Sequence, residues 1–451
     1  MKIAFVWWWT WWHIFPIKSL VEYLLENHRQ YKKKSHTIIE SNEKLIVCDN
    51  NKDSLWLLEI YWLWEKKSLE QKIAEELEVE FYPILSWKIR RYWTPISILQ
   101  NFFDLFKLVI GFFQSLYFLY KNKIDVIFCK GWYVAIPVVL AGAILRKKIY
   151  VHESDTVPGL TNKIAAKFAK KVFWGFFLEN NRQFNKIITG DLNKELQITK
   201  DDITDDWEKG DTLIDCDNNK DCQWLLKILR NSYEVLWWDK KVISVGQILS
   251  YDLIKWLSVI DNKIVCDWKV NILVIWWSQW ARTIFDMLLN LAKKSLYKFE
   301  EKRRNIMIDE KYQFFIVLWT KNIGYKHNFT WFENVEVFEF VDQKKMWELL
   351  YVSDRSITRW WATSLAEQDL FWIKKIIIPL PFTAHNHQWW NGMWYKIFRW
   401  DILLEQDENL EKNLEKILSK NLKKKEKVNL KEIEKKINNT LQKIISFLYK
   451  N

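Results

Sequence analysis

The sequence predicts an α/β fold in two halves, each a parallel sheet wound with helices, and three observations carry that expectation. The first is the opening: Ile3 to Val6 is an apolar run the length of a buried strand, a short loop follows, and from Pro16 a helical pattern begins with Leu20, Leu24 and Leu25. The second is the return of the same order at the strand Val270 to Ile275, the loop Trp276 to Ala281 and the helix Arg282 to Ala292. The third is length, since 451 residues are ample for two domains of ordinary size.

Taken in order, the first half continues with its most apolar stretch, Tyr92 to Tyr120, which holds Phe102, Phe103, Phe106, Val109, Ile110, Phe112, Phe113 and Tyr117. Asp104, Lys107 and Gln114 interrupt it, so it falls short of the roughly 20 apolar residues a spanning helix needs and reads largely as core helix. Ahead of it, Lys88-Ile89-Arg90-Arg91-Tyr92-Trp93 mixes cations with aromatics, as interfacial segments do. A strand Ile124 to Cys129 ends in the turn Lys130-Gly131-Trp132-Tyr133, a helix follows over Val138 to Leu145, and a strand Ile149 to His152 opens the loop Glu153 to Asn162. Loops at strand C-termini are where open α/β sheets bind ligands.

From Glu195 to Trp268 the pattern fades into an acidic stretch that reads as an insertion. Asp215, Asp217, Asn219 and Asp221 have the spacing of a calcium loop, but Lys220 stands at its glycine position and Leu226 at its closing glutamate. Cys48 to Asp53 with Trp56-Leu57-Leu58 recurs as Cys216 to Asp221 with Trp224-Leu225-Leu226, two copies being too few for a solenoid. In the second half, Phe338 to Asp342 and Ser356 to Glu367 are further loop edges, and Pro379 to Asn391 is rich in proline, histidine and amides suited to fixing hydroxyls. The expected division is therefore 1–194, an insertion or linker over 195–268, a second sheet domain over 269–405 and a tail from 406.

Residues 411–451 carry twelve lysines and five glutamates, a share of the chain's +12 that leaves +7 in the tail. Leu414, Leu418, Leu430, Ile433, Ile437, Leu441, Ile444 and Leu448 recur at helical spacing, which reads as a docked helix pair with a solvated lysine face; contact with an anionic membrane is the alternative. Nucleic acid is not expected, because the tail lacks arginine and no nucleic-acid-binding signature accompanies it. A hydrophobic share of 49% describes a globular protein, and five cysteines with no Cys-x-x-Cys pair suit reduced thiols rather than a disulfide scaffold or zinc site. The opening shows no signal-peptide pattern, and a cytoplasmic location is expected.

One feature of composition bears on all the turns. The chain has 31 tryptophans and 10 glycines, where glycine usually makes up about 7% of residues. Tryptophans sit where strand-to-helix turns want glycine, at positions 7–9, 11–12, 276–277, 280 and 360–361, although an indole seeks packed surroundings and a partner for its N–H. Many of them are therefore read as glycine positions, written as tryptophan through UGA codons that the source lineage decodes as glycine.

With that allowance, the opening loop Trp7 to His13, the stretch Phe128 to Val134, His152-Glu153-Ser154-Asp155 with Pro158 to Asn162, Trp276 to Ala281, Thr358 to Glu367, and His387-Gln388 with Asn391 occur in the order found in MurG-type glycosyltransferases, which the chain resembles over most of its length. The resemblance implies a GT-B architecture, two Rossmann-like domains facing a cleft. It also implies inverting transfer of N-acetylglucosamine from UDP-GlcNAc to the undecaprenyl-linked muramyl-pentapeptide of peptidoglycan synthesis, at the cytoplasmic face of the membrane and without a metal or other cofactor. In this reading the donor meets Ser278 with its pyrophosphate, Glu367 with its ribose, the Val341 backbone with uracil, and Gln388 and Asn391 with its sugar. Thr10, Trp11, Trp12, Asp155, Lys194 and the helix opening Ala362, Thr363, Ser364, Leu365 and Ala366 line the donor side, and Tyr133 and Asn162 the acceptor side. His13 is the expected general base, its unperturbed pKa lying near neutrality, with Glu153 the runner-up.

Two positions depart from the family pattern. Asp155 stands where asparagine is usual, and Gly190-Asp191-Leu192-Asn193-Lys194 replaces Gly-Asn-Pro-x-Arg, so Lys194 offers a point charge without arginine's planar fork. The alternatives are a related GT-B transferase with another acceptor, or a non-catalytic membrane-associated remnant if the tryptophans are literal.

Overall fold

In the computed structural model of the chain, residues 1–7, 16–28, 58–64, 69–85, 94–131, 134–176, 223–225, 227, 241–259, 268–276, 281–299, 305–359, 361–381 and 386–449 are described. They form two compact units, Met1–Asn180 with Asn231–Asp252 and Lys436–Asn451, and Asn181–Arg230 with Leu253–Lys435.

The first unit begins with β1 (Lys2–Trp7) and the helix α1 (16–28). Ile3, Ala4, Phe5 and Val6 are fully buried, as are Ile17, Leu20 and Val21 of α1, because a parallel strand covered on both faces is apolar throughout rather than alternating. β2 (Glu59–Trp64), α2 (Leu69–Glu76), β3 (Glu80–Pro83), α3 (Pro95–Lys121), β4 (Val126–Lys130), α4 (Ala135–Ile144), β5 (Lys148–Glu153), α5 (Leu160–Phe168), β6 (Lys171–Trp174) and β7 (Val242–Ser244) follow. All pairings are parallel, in the order β3-β2-β1-β4-β5-β6-β7. The strands and helices expected around Ile124–His152 are present with shifted ends: the first strand starts two residues later and closes on Lys130, where pairing of Trp7 with Lys130 extends the ladder.

Two segments join this unit from far along the chain. β7 comes from the stretch read as insertion or linker, where only Val242 and Ile243 of its three residues favour a strand, and it adds to the sheet edge beside β6. The end of the last helix does the same: the Tyr150 hydroxyl donates to the Phe447 carbonyl at 2.9 Å, Thr440 donates to the Val245 carbonyl at 3.0 Å, and the Phe173 and Phe447 rings lie 5.7 Å apart.

The second unit runs through α6 (Asp252–Leu257, whose first residue lies in the first unit), β8 (Val270–Ile275), α7 (Arg282–Phe299), β9 (Tyr312–Val317), α8 (Lys326–Thr330), β10 (Val335–Phe338), α9 (Gln343–Val352), β11 (Arg355–Thr358), α10 (Ala362–Leu370), β12 (Lys374–Ile377), α11 (His387–Arg399), β13 (Ile402–Leu403), α12 (Leu410–Ser419) and the start of α13 (Leu430–Tyr449). Its sheet is parallel in the order β10-β9-β8-β11-β12-β13. Strand β8 has the residues the sequence predicts, and α7 runs on past Ala292. Leu410, Leu414 and Leu418 of α12 join the core built on β8, β9 and α7, while Ile433, Ile437, Leu441, Ile444 and Leu448 of α13 are buried too, as the docked helix pair requires.

Each sheet thus has the doubly wound order, with its direction of winding reversing between β1 and β4 in one and between β8 and β11 in the other. In open sheets of this kind ligands bind outside the strand C-termini at such switch points, one of which lies in each unit.

Candidate functional sites

In the first unit the described residues beside the switch point are those at the ends of β4 and β5. Gly131, directly after β4, has φ +66°, a left-handed conformation that suits glycine, and it lies beside the Asn162 side chain. Lys130 and Glu153 end adjacent strands and are 7% and 3% exposed, unusual burial for charged side chains. Glu153 gathers the following loop around itself. One carboxylate oxygen accepts the Asp155 N–H at 2.8 Å; the other accepts the Gly159 N–H at 3.2 Å and the Asn162 amide at 2.7 Å. The Gly159 contact places this carboxylate at the N-terminus of α5, which has no side-chain cap of its own. Gln247, next to β7, donates to the Ser154 carbonyl at 2.6 Å, and the Trp174 indole donates to the Asp155 carbonyl at 3.2 Å.

Electrostatics in this cluster follow from burial. It lifts the Glu153 carboxyl to about 8, with Asp155 adding to the rise and the three N–H donors opposing it. Burial pulls the Lys130 ammonium down to about 7, opposed by Asp155 and then Glu153. His152, fully buried, is held well below its ordinary value by burial and then by Lys130. The predicted residues Glu153, Asp155 and Asn162 are brought together here. Lys130 belongs with them; the sequence reading placed it in the turn after the strand, inside the Phe128 to Val134 stretch, and gave it no role.

In the second unit, α10 opens directly after the β11 turn, and no side chain caps its N-terminus. Its first turn presents Ala362, Thr363, Ser364 and Leu365, all buried, then Ala366 and Glu367. Gln368 ties the helix to β11: its amide oxygen accepts from Ser356 at 2.6 Å, and its nitrogen donates to the Ser364 carbonyl at 3.1 Å and to Thr358 at 3.3 Å. Glu367 is 5% exposed, and burial lifts its carboxyl to about 8. Arg359, 3% exposed after β11, lies with its guanidinium 5.1 Å from the Trp276 ring centroid, and burial lowers it to about 10. Val341 is buried just before Asp342, whose side chain caps α9 by accepting the Lys345 N–H at 2.7 Å. Gln388 and Asn391 are buried on the first turns of α11, and the Gln388 amide oxygen has no hydrogen-bond partner among the described residues. Sequence reading gave Arg359 and Gln368 no role; Gln368 is fully buried and bonded to β11.

Thr10, Trp11, Trp12, His13, Tyr133, Lys194 and Ser278 lie outside the described residues, as do the Lys88–Trp93 segment and residues 195–222 of the acidic insertion.

Residues 57–174 match the glycosyltransferase family 28 N-terminal domain, a span that includes β2 through β6 and the Glu153–Asn162 loop. A Borrelia hermsii protein named UDP-N-acetylglucosamine--N-acetylmuramyl-(pentapeptide) pyrophosphoryl-undecaprenol N-acetylglucosamine transferase is 39% identical over 137 residues, 30% of this chain and 36% of its own length. The Staphylococcus aureus (strain MRSA252) protein of the same name is 42% identical over 120 residues, 26% of this chain and 33% of its own. The chain therefore spans about a third of the length of the curated relatives it matches. Across 98% of the chain, the crystal structure of Acinetobacter baumannii MurG is similar with a TM-score of 0.55 at 14% identity, covering 94% of that chain, a likeness of fold. Residues 57–174 are thus similar to a family 28 N-terminal domain, the chain is similar over part of its length to the two transferases named above, and its two doubly wound parallel sheets have the GT-B fold.

Proposed function

We propose that the chain transfers N-acetylglucosamine from UDP-GlcNAc to an undecaprenyl-linked muramyl-pentapeptide, with inversion at the anomeric carbon. The observation that carries this is the family 28 match, which contains the whole Glu153–Asn162 loop, together with the activity named for the matched relatives. The second unit takes the donor: the uncapped N-terminus of α10 and the Arg359 guanidinium suit its diphosphate, Glu367 its ribose hydroxyls, the Val341 backbone its uracil, and Gln388 and Asn391 its sugar hydroxyls. The opening loop with Thr10, Trp11 and Trp12, and Lys194 and Ser278, complete the donor side. Asp155, Tyr133 and Asn162 belong to the first unit.

In the reaction the acceptor hydroxyl oxygen bonds to the anomeric carbon, the bond from that carbon to the diphosphate oxygen breaks, and UDP leaves. His13 takes the hydroxyl proton. Glu153, whose two oxygens already accept three N–H groups, holds the loop instead. The leaving diphosphate gains its stabilisation from helix N-termini and loop N–H groups.

The acceptor is met at a membrane. No described helix is long and apolar enough to cross one. Yet α3 leaves Ile96, Leu99, Phe106, Ile110, Phe113, Tyr117 and Tyr120 exposed at spacings of three, four and seven, one apolar face suited to lying in the headgroup region. This makes the protein a peripheral one at the cytoplasmic face. Incubation with UDP-GlcNAc and the lipid-linked muramyl acceptor tests the reading, and release of UDP with extension of the lipid by one sugar is expected. His13→Ala lowers turnover by orders of magnitude with donor binding retained; unchanged turnover removes His13 from the role.

A further inference from the structure

In the second unit a chain of alternating charges joins the two helices that carry the donor residues. Lys375 of β12 and Asp401, the residue before β13, have side chains 1% and 0% exposed, and Lys375 Nζ lies 2.8 Å from Asp401 Oδ2. The other Asp401 oxygen accepts the Lys375 backbone N–H at 2.8 Å. The same ammonium lies 3.5 Å from Asp369 of α10, whose second oxygen is 3.0 Å from Nε of Arg399, the last residue of α11. Asp369 thus links α10 both to β12 and to α11. Lys375 Nζ also faces the Tyr395 ring of α11 at 4.8 Å from its centroid, and the Lys374 ammonium donates to the Arg399 carbonyl at 2.6 Å. Apolar residues of similar volume commonly fill such a site with equal stability, which leaves orientation as what the charges add.

Nearer its start, α11 is held by close packing. A Cβ on Gly392 would stand 2.7 Å from Leu403 Cδ1 and 3.4 Å from Ile377 Cγ2, so the helix backbone rests on β12 and β13 at the residue after Asn391. A helix anchored at two places along its length has its orientation set. Gln388 and Asn391 stand on the first turns of this helix, and Glu367 stands two residues before Asp369 on α10. The residues for the donor's sugar and for its ribose therefore ride on two helices, and Asp369 is a tie between them.

We propose that Asp369 is a positioning residue for the donor sugar: through Lys375 and Arg399 it holds α11, and with it Gln388 and Asn391, in register with Glu367 on α10. This rests on the transferase reading above.

The test measures binding of UDP and of UDP-GlcNAc to the full chain by calorimetry, with thermal unfolding alongside. Asp369→Asn leaves Lys375 its Asp401 partner and unpairs only Arg399, whose side chain is 42% exposed. It lowers affinity for UDP-GlcNAc by roughly 10-fold, the size of hydrogen bonds to sugar hydroxyls moved out of line, and leaves affinity for UDP as in the wild type. A purely structural role weakens both ligands alike; that outcome, or wild-type affinity for both, overturns the proposal. Arg399→Met shows the same split and carries the test alone if Asp369→Asn does not fold. The double variant loses no more than Asp369→Asn, because both changes cut one link, and losses that multiply also overturn it. If the wild-type chain binds neither ligand, the donor assignment fails on its own, and amide hydrogen exchange at residues 388–391 decides the positioning: faster exchange in Asp369→Asn supports it and unchanged exchange overturns it.

Discussion

Glu367 is a carboxyl kept from water and lifted by burial to about 8, yet the donor's ribose would ask it to accept two hydroxyl hydrogens, which only the ionised form does at both oxygens. Donor binding near pH 7 is therefore expected to release a proton from Glu367, seen as a buffer-dependent heat in calorimetry and absent in Glu367→Gln. That variant should bind the donor roughly 10- to 100-fold more weakly, at about 1.5–3 kcal/mol for bonds to a charged acceptor. The sign for stability runs the other way. A carboxyl whose folded value lies above its ordinary 4.5 contributes stability below that value and loses it as pH rises towards 8. Glu367→Gln should therefore raise the thermal midpoint more at pH 8 than at pH 5. At this scale the sequence named Glu153, Asn162, Glu367, Gln388 and Asn391 because motif order marks such positions. It placed Lys130 and Arg359 inside motif stretches but gave them no role and passed over Gln368, since a cation or amide looks the same in sequence whether solvated or buried.

Elements were more legible than their ends. β8 could be read to the residue because Val270 to Ile275 is apolar but for Asn271 and bounded by Lys269 and a turn. β7 could not, for three residues carry no periodicity and earn their place only by pairing with β6. The apolar stretch around Phe106 reads as core, and the structure divides it: one α3 face carries Phe118 and Leu119 into the core, and the other exposes Phe106 by 55% and Phe113 by 61%. Overlapping apolar stripes on one helix cannot be told apart from composition. If the exposed stripe meets lipid, Phe106→Glu with Phe113→Glu should cut binding to anionic vesicles by roughly 100-fold or more, at about 1.5–3 kcal/mol per buried ring, with donor affinity unchanged. Equal sedimentation with vesicles would count against the membrane face.

For the whole molecule, two sheets of one winding order could be anticipated from two strand-loop-helix openings, because each opening sets where its sheet must reverse. What the linear sequence hides is that the first unit closes with residues from 231–252 and 436–451. Removal of residues 436–451 should lower the unfolding midpoint of the first sheet, since Leu441, Ile444 and Leu448 leave its core, and near-ultraviolet spectra together with proteolysis of the 134–176 region would record it.

The Phe447 carbonyl that receives the Tyr150 hydroxyl also sets an order of events during synthesis. Strands β1 to β6 emerge from the ribosome early, but the helix that covers Tyr150 and Phe173 is made only after the entire second sheet. A nascent chain that has already built most of its first sheet must wait, with that flank uncovered, until residues 436–449 have emerged. Chaperone capture of translation intermediates should therefore persist until that helix has left the ribosome and fall once it has.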